Sequence, residues 1–428
     1  MTRTFVYRQG ELSVDGVRLE QLAERFGTPL YVYDFAAVHT ALDGYAHALA
    51  PAPHLICAAV KANGNLALLA QLAAWGSGFD VVSGGELERV LRAGARADRV
   101  VFSGVGKTAE EMDAALRAGI LMFNVESEPE LELLGARAAR LRRPARYGIR
   151  VNPNIPAATH PHIATGLRQH KFGVEAATAR RLYLAYRSRW LEPVGISCHI
   201  GSQILETAPF ERAAERLARL TLEVEAATGA HLRLVDVGGG LGISYQSGQR
   251  PPSLAAYAAA LRRGLRSLRP RGSGRARLLI VEPGRRLVAA AGVLLTRVLY
   301  VKENAAKRFV ITDAGFNDLI RPSLYGAHHE IVPLRRRRGA AAPADIVGPI
   351  CESGDTFAHG RALAPVAAGD GLAILDAGAY GFVLSSNYNA RPRPAEVAIM
   401  GGRARLIRQR ETLDEMLQAE LVGVQGGK

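Results

Sequence analysis

Lys61 closes an apolar run, in LICAAVKANGN. A lysine there is costly to bury unless it is used. Its amine can form a Schiff base with an aldehyde cofactor, and desolvation lowers its pKa toward that task. The alternative is a lysine whose stem lies along a rim with its ammonium in water. Gly238, Gly239 and Gly240 follow LVDV. Missing side chains let backbone N–H groups approach a phosphate, although a tight strand exit needs glycine too. Glu282 opens EPGR. A carboxylate facing a pyridine nitrogen keeps it protonated and strengthens the ring as an electron sink. Arg285 can hold a phosphate or a carboxylate, unless the two side chains simply pair with each other.

His199, in CHIGSQ, can act as a base or stack on a planar ring; no second His or Cys stands at metal-ligand spacing from it, and no metal is expected. His160, His162 and His170 fall in a Pro-rich loop, and the adjacent pair His328 and His329 lacks helical ligand spacing. Cys351 and Glu352 stand together in GPICESGD, where a thiol beside a carboxylate can deliver a proton to carbon. Arg321 and Tyr325, in RPSLYGA, offer a cation and a phenol to a substrate carboxylate, and Tyr380, in DAGAYG, is a further candidate. Each also has a plain structural reading as a capped loop or a packed ring.

These residues need elements to position them. Short apolar runs suited to buried parallel strands alternate with amphipathic stretches. The strands read as HLICAAVKAN, GFDVVSGG, RVVFSG, LMFNVES, YGIRVNP, PVGISCHIG, LRLVDVGGG and LLIVEPG. Eight is the number that closes a parallel barrel. Their C-terminal ends carry Lys61, Ser83, Ser103, Asn124, Asn152, His199, Gly238 and Glu282, and barrel enzymes place their sites at that face. The dinucleotide fingerprint of an open doubly wound sheet is missing, because GGGLG has the wrong spacing. Beyond about residue 290 the segments turn strand-like, as in RFVITDAG and GDGLAILDAGAY. The expected architecture is a (β/α)8 TIM-type barrel over 28–290, followed by a β-rich sandwich or barrel domain made of 1–27 and 291–428. Asp34 caps a helix with apolar Phe35, Val38, Leu42, Tyr45 and Leu49, and Thr412 caps a short terminal helix.

The 428 residues are 48% hydrophobic, enough for two cores, and no run of about 18 apolar residues suggests a membrane span. The N-terminal stretch has no signal-peptide core, so a cytoplasmic location is expected. Three cysteines argue against a disulfide framework, and Cys57 and Cys198 read as core fillers. The net charge of +14 comes almost wholly from arginine, since only six lysines are present. Neither basic cluster, Arg262 to Arg277 or Arg335 to Arg338, is interleaved with aromatics, so no nucleic-acid partner is expected.

Taken in order, AVKAN, GFDVVSGGEL, TGLRQHKFGV, HIGSQI, VDVGGGLG, EPGR, RPSLYGAHHEI, GPICESGD, DAGAYG and SSNYNARPRPAEV make the chain resemble the fold type III pyridoxal-phosphate-dependent decarboxylases. The resemblance runs from FGTPLYVYD to IRQRETLDEMLQAE, almost the whole chain. It implies pyridoxal 5'-phosphate bonded to Lys61 and held by His199, Ser202, Gly238, Gly239, Gly240, Glu282, Gly284, Arg285 and Tyr380. It implies that Arg285, Arg321, Tyr325, Glu352 and Tyr380 bind substrate, with Cys351 as the acid. The implied reaction takes meso-2,6-diaminopimelate to L-lysine and CO2, in a homodimer whose Cys-Glu loop enters the partner's site. Sister decarboxylases act on ornithine, lysine, arginine, carboxynorspermidine or specialised amino acids. Arg321 and the Glu after Cys351 argue against the diamine-forming ones, Glu282 argues against an alanine racemase, and the presence of Lys61 and Cys351 argues against a non-catalytic homologue. Gly64, where Ser is common, and the stretch TFAHGRAL depart from the pattern without touching a chemical role.

Overall fold

The computed structural model describes residues 4–155, 171–186, 188–269 and 276–425. The chain forms two compact units, one of 39–244 and 248–287, the other of 1–38, 245–247 and 288–428.

In the first unit eight strands close a barrel: β1 His54–Ala59, β2 Gly78–Val81, β3 Val100–Phe102, β4 Met122–Val125, β5 Ala145–Arg150, β6 Leu191–Ser197, β7 Leu234–Asp236 and β8 Leu278–Val281. Every neighbouring pair is parallel, and β8 returns to β1 with Val281 opposite Ile56. Leu55, Cys57, Val101, Met122, Val194, Leu234 and Ile280 fill one layer of the interior. Gly148 and Gly195 make room for Met122, since a Cβ on either would come within 2.9 Å and 2.6 Å of its sulfur. Four successive strand-to-helix loops end on a residue that caps the next helix. Asn65, Ser83, Thr108 and Ser127 accept from the N–H groups of Ala67, Glu86, Glu111 and Glu130. Each such cap contributes on the order of 1 kcal/mol. Ser83 is therefore a helix cap, and Asn152 turns its own loop by accepting from Asn154 N–H at 2.9 Å, so both belong to the scaffold.

The second unit is built on the twelve-residue strand Gly292–Glu303. Its sheet runs Thr356–Leu363, Ala342–Val347, Arg308–Thr312, Gly292–Glu303, Leu30–Asp34, Ala395–Met400, Arg403–Arg408, with Gly371–Ile374 pairing with the long strand and Ile331–Pro333 pairing with Gly371–Ile374. Val32, Val293, Leu295, Ala373, Val397 and Ile399 form its core with Leu12, Leu19 and Leu22. The sequence reading placed 28–38 in the barrel domain. Strand Leu30–Asp34 instead pairs with Gly292–Leu295 and Ala395–Ile399, so that segment lies in this unit. The first 27 residues are not all strand either. After three short strands, Leu19–Phe26 is a helix that buries Leu19, Leu22 and Ala23, a helical spacing. The helix beginning at Phe35 is present over Phe35–Leu49, and Asp34 caps it by accepting from Ala36 N–H at 2.9 Å. The terminal helix is two: Leu413–Leu417, with Thr412 and Glu415 in a reciprocal cap, and Leu421–Gln425. Among the described residues no helix is long and apolar enough to cross a membrane.

Candidate active site

Lys61 lies not on the strand but on the single 3-10 turn Val60–Ala62 that follows β1, which lifts its amine above the end of the barrel. The amine forms an ion pair with Asp80 of β2. Asp80 is fully buried, and its second carboxylate oxygen has no hydrogen-bond partner among the described residues. Asp236, at the end of β7, is buried as well; it accepts from Asn124 Nδ2 at 3.0 Å and from Gly238 N–H at 2.9 Å. Glu282 follows β8 and takes a 3.5 Å contact from the Ser103 hydroxyl. Three carboxyls therefore gather where the strands end. Loss of water raises Glu282 well above the usual carboxylate range, helped by the Asp236 and Asp80 charges, while Asp236 is pushed up to about 6 chiefly by burial. Asp80 and Asp236 escaped the sequence reading because each is embedded in a run that scans as apolar strand.

A carboxyl raised in the folded state binds a proton that the unfolded chain has released. Its contribution is present at acid pH and is lost as pH rises through the folded value. The protein without cofactor is thus expected to lose stability between about pH 4 and 6, the span from an ordinary carboxyl to the value of Asp236. Asp236→Asn should flatten that part of the thermal-melting profile; a slope identical to wild type would remove Asp236 as its source.

The loop after β7 is glycine because nothing larger fits. A Cβ on Gly239 would sit 2.1 Å from the Glu282 carbonyl oxygen, and one on Gly240 2.3 Å from that of Gly201. Gly239 N–H donates to His199 Nδ1 at 3.1 Å, which fixes the imidazole and leaves any proton of the neutral ring on Nε2. Loss of water, then the Arg150 and Lys61 charges, hold His199 well below its ordinary pKa. Arg285, buried at the start of the short helix Arg285–Val288, donates to the Ser202 hydroxyl at 3.0 Å, and Gly284 accepts from Leu287 N–H within that turn. An amine, a planar neutral ring, a close-packed glycine loop, an arginine and a buried carboxyl fit a phosphorylated pyridine aldehyde. The unpartnered oxygens of Asp80, Asn124 and Ser197 in the same region show a barrel end built to meet polar groups. Gly239→Ala should strip the protein of cofactor, read as loss of visible absorbance, and cost about 1–3 kcal/mol of stability by overpacking.

Within the β-rich unit, Arg321 is buried at the head of the helix Arg321–Tyr325, and Tyr325 ends it before the left-handed Gly326. Cys351 and Glu352 are exposed on a loop drawn tight by Asp355, whose carboxylate accepts from Ile350 N–H at 2.7 Å and Phe316 N–H at 2.6 Å. Two residues that the sequence reading missed steady this pair. Cys351 N–H donates to Asn389 Oδ1 at 3.0 Å, and Tyr388 hydroxyl donates to Glu352 at 3.1 Å. Tyr380 has φ +57°, a left-handed conformation unusual for a bulky residue and more common at functional sites. Cys57 and Cys198 are buried fillers; burial pushes the Cys198 thiol up to about 12. Among the described residues no cluster of His, Cys, Asp or Glu could hold a metal; His160, His162, His170 and the first part of TGLRQHKFGV lie outside them.

Residues 35–289 match the family model of the pyridoxal-dependent decarboxylase, pyridoxal binding domain. The diaminopimelate decarboxylase of Pseudomonas aeruginosa is 50% identical over 97% of this chain and 98% of its own. That of Aquifex aeolicus is 45% identical over 97% of each. The crystal structure of the Helicobacter pylori diaminopimelate decarboxylase complexed with L-lysine shares 44% identity and a TM-score of 0.89, over 95% of this chain and all of that one. The chain belongs to the pyridoxal-dependent decarboxylase family, in its diaminopimelate decarboxylase branch.

Proposed function

We propose that this chain removes the carboxylate from the D-configured centre of meso-2,6-diaminopimelate, releasing CO2 and L-lysine. The observation that carries the reading is an amine, Lys61, set on a turn against buried carboxyls at the end of a closed barrel, in a chain half identical end to end to a diaminopimelate decarboxylase.

Bound pyridoxal phosphate supplies an electron sink for the bond pair that the departing carboxylate leaves behind. Lys61 would hold the cofactor's aldehyde carbon, and the Asp80 carboxylate pairs with its amine. Glu282 would face the ring nitrogen, where a carboxylate favours the charged form of the ring. His199 offers a neutral face to the ring. Ser202, Gly238, Gly239, Gly240, Gly284, Arg285 and Tyr380 would hold the phosphate end. Arg321 and Tyr325 grip the carboxylate that is not lost, Glu352 takes the distal ammonium, and Cys351 returns a proton to the α-carbon. A second copy of the chain completes the assembly, and the enzyme works in the cytoplasm.

The test is CO2 release by the cofactor-loaded protein from meso-diaminopimelate, L-ornithine, L-lysine and L-arginine in parallel. Release from meso-diaminopimelate alone, with lysine formed, is expected. Turnover of another substrate in its place would move the enzyme to a sister activity.

A further inference from the structure

Arg321 is held from two sides inside the β-rich unit. Its Nη1 lies 2.8 Å from His329 Nε2, and its guanidinium sits 4.8 Å above the ring of Tyr245. His329 is fully buried, its Nδ1 lies 2.7 Å from the carbonyl oxygen of Leu375, and Tyr245 meets it edge-on at 5.4 Å. The partners decide the protons. A carbonyl only accepts, so Nδ1 carries the hydrogen; a guanidinium only donates, so Nε2 receives one. His329 is therefore a neutral imidazole in one tautomer, anchored on a strand-end carbonyl, with its lone pair aimed at the arginine.

An arginine has many rotamers and five N–H donors. One donor directed at a fixed acceptor, with an aromatic face under the plane, leaves one orientation for the rest. We infer that His329 is a positioning residue that presets Arg321 for the carboxylate the reaction leaves in place, and so sets selectivity for amino acids over diamines. This rests on the substrate role proposed above for Arg321.

Three variants separate the possibilities. His329→Asn can keep a donor toward Leu375 but has no acceptor at the Nε2 position. His329→Gln places an amide oxygen there. His329→Leu fills the space without either, and serves if the Asn variant melts early. The readouts on the holoenzyme are kcat, KM for meso-diaminopimelate, and the inhibition constants of L-lysine and of cadaverine, which has both amines but no carboxylate. For Asn and Leu, KM and the L-lysine constant should rise about tenfold, the loss of one charge-assisted contact, with kcat and the cadaverine constant unchanged. Gln should restore L-lysine binding to near wild type. Equal weakening of L-lysine and cadaverine, or no effect on either, would overturn the proposal. Arg321→Lys is the control. If it weakens L-lysine while the His329 variants do not, only the positioning role falls; if it leaves L-lysine binding unchanged, the substrate role of Arg321 falls as well.

Discussion

Lys61→Ala is expected to reduce decarboxylation by at least about 10³-fold, on the scale at which covalent and acid–base groups act, and to abolish the visible absorbance of the bonded cofactor. Two features make the effect large. The 3-10 turn Val60–Ala62 places this amine at the barrel end, and the ion pair with buried Asp80 keeps it there. The buried lysine Lys107 cannot substitute: its amine already donates to Glu130 at 2.7 Å and to the carbonyls of Gly104 and Asn124 at 2.7 and 2.8 Å. Removing Lys61 also leaves the Asp80 carboxylate buried without its cation, and thermal melting should register that cost. Full absorbance with normal turnover in the variant would refute the assignment.

The second large effect is on Cys351. Cys351→Ala should lower kcat about 10²- to 10³-fold, the usual worth of a positioned proton donor, while KM changes only a few-fold. The side chain is exposed and the loop is held by other groups: the Asp355 carboxylate, the Asn389 amide oxygen and the Tyr388 hydroxyl. The melting temperature should therefore stay where it is. Comparison with Glu352→Gln divides the two neighbours, since loss of the glutamate charge should raise KM for a substrate with a distal ammonium more than it lowers kcat. A Cys351→Ala enzyme with wild-type kcat would transfer the proton-donor role elsewhere.

The barrel was legible because a strand buried on both faces is apolar over most of its length, and eight such runs alternate with amphipathic stretches. The same rule hid Asp80 and Asp236. A single carboxylate inside GFDVV or RLVDV leaves the run looking like core, and only the closed barrel shows that both lie among the gathered carboxyls. His329 has no metal-ligand partner in its spacing, and of its actual partners Tyr245 is distant in the chain, the Leu375 carbonyl is invisible in residue types, and Arg321, eight residues away, gives no sign of the pairing. The helix Leu19–Phe26 was overlooked because it follows a turn-rich meander and spans barely two turns. Strand Leu30–Asp34 carried no sign of its sheet: its buried LYVYD suits either unit, and pairing partners cannot be read from one strand.

That strand has a consequence for biosynthesis. Leu30 hydrogen-bonds beside Leu295 and Ala395, which leave the ribosome 265 and 365 residues later. At ~5–20 residues per second the second of these partners arrives roughly 20–70 s after Leu30 itself. Until Leu295 emerges, the run LYVYD, rich in β-forming residues and destined to be buried, is without either neighbour in its sheet, and until Ala395 emerges it still lacks one. The nascent chain thus carries a sticky unpaired strand near its beginning while the barrel strands emerge one after another behind it. Holding that segment off other chains until translation ends is a task that falls to the cell.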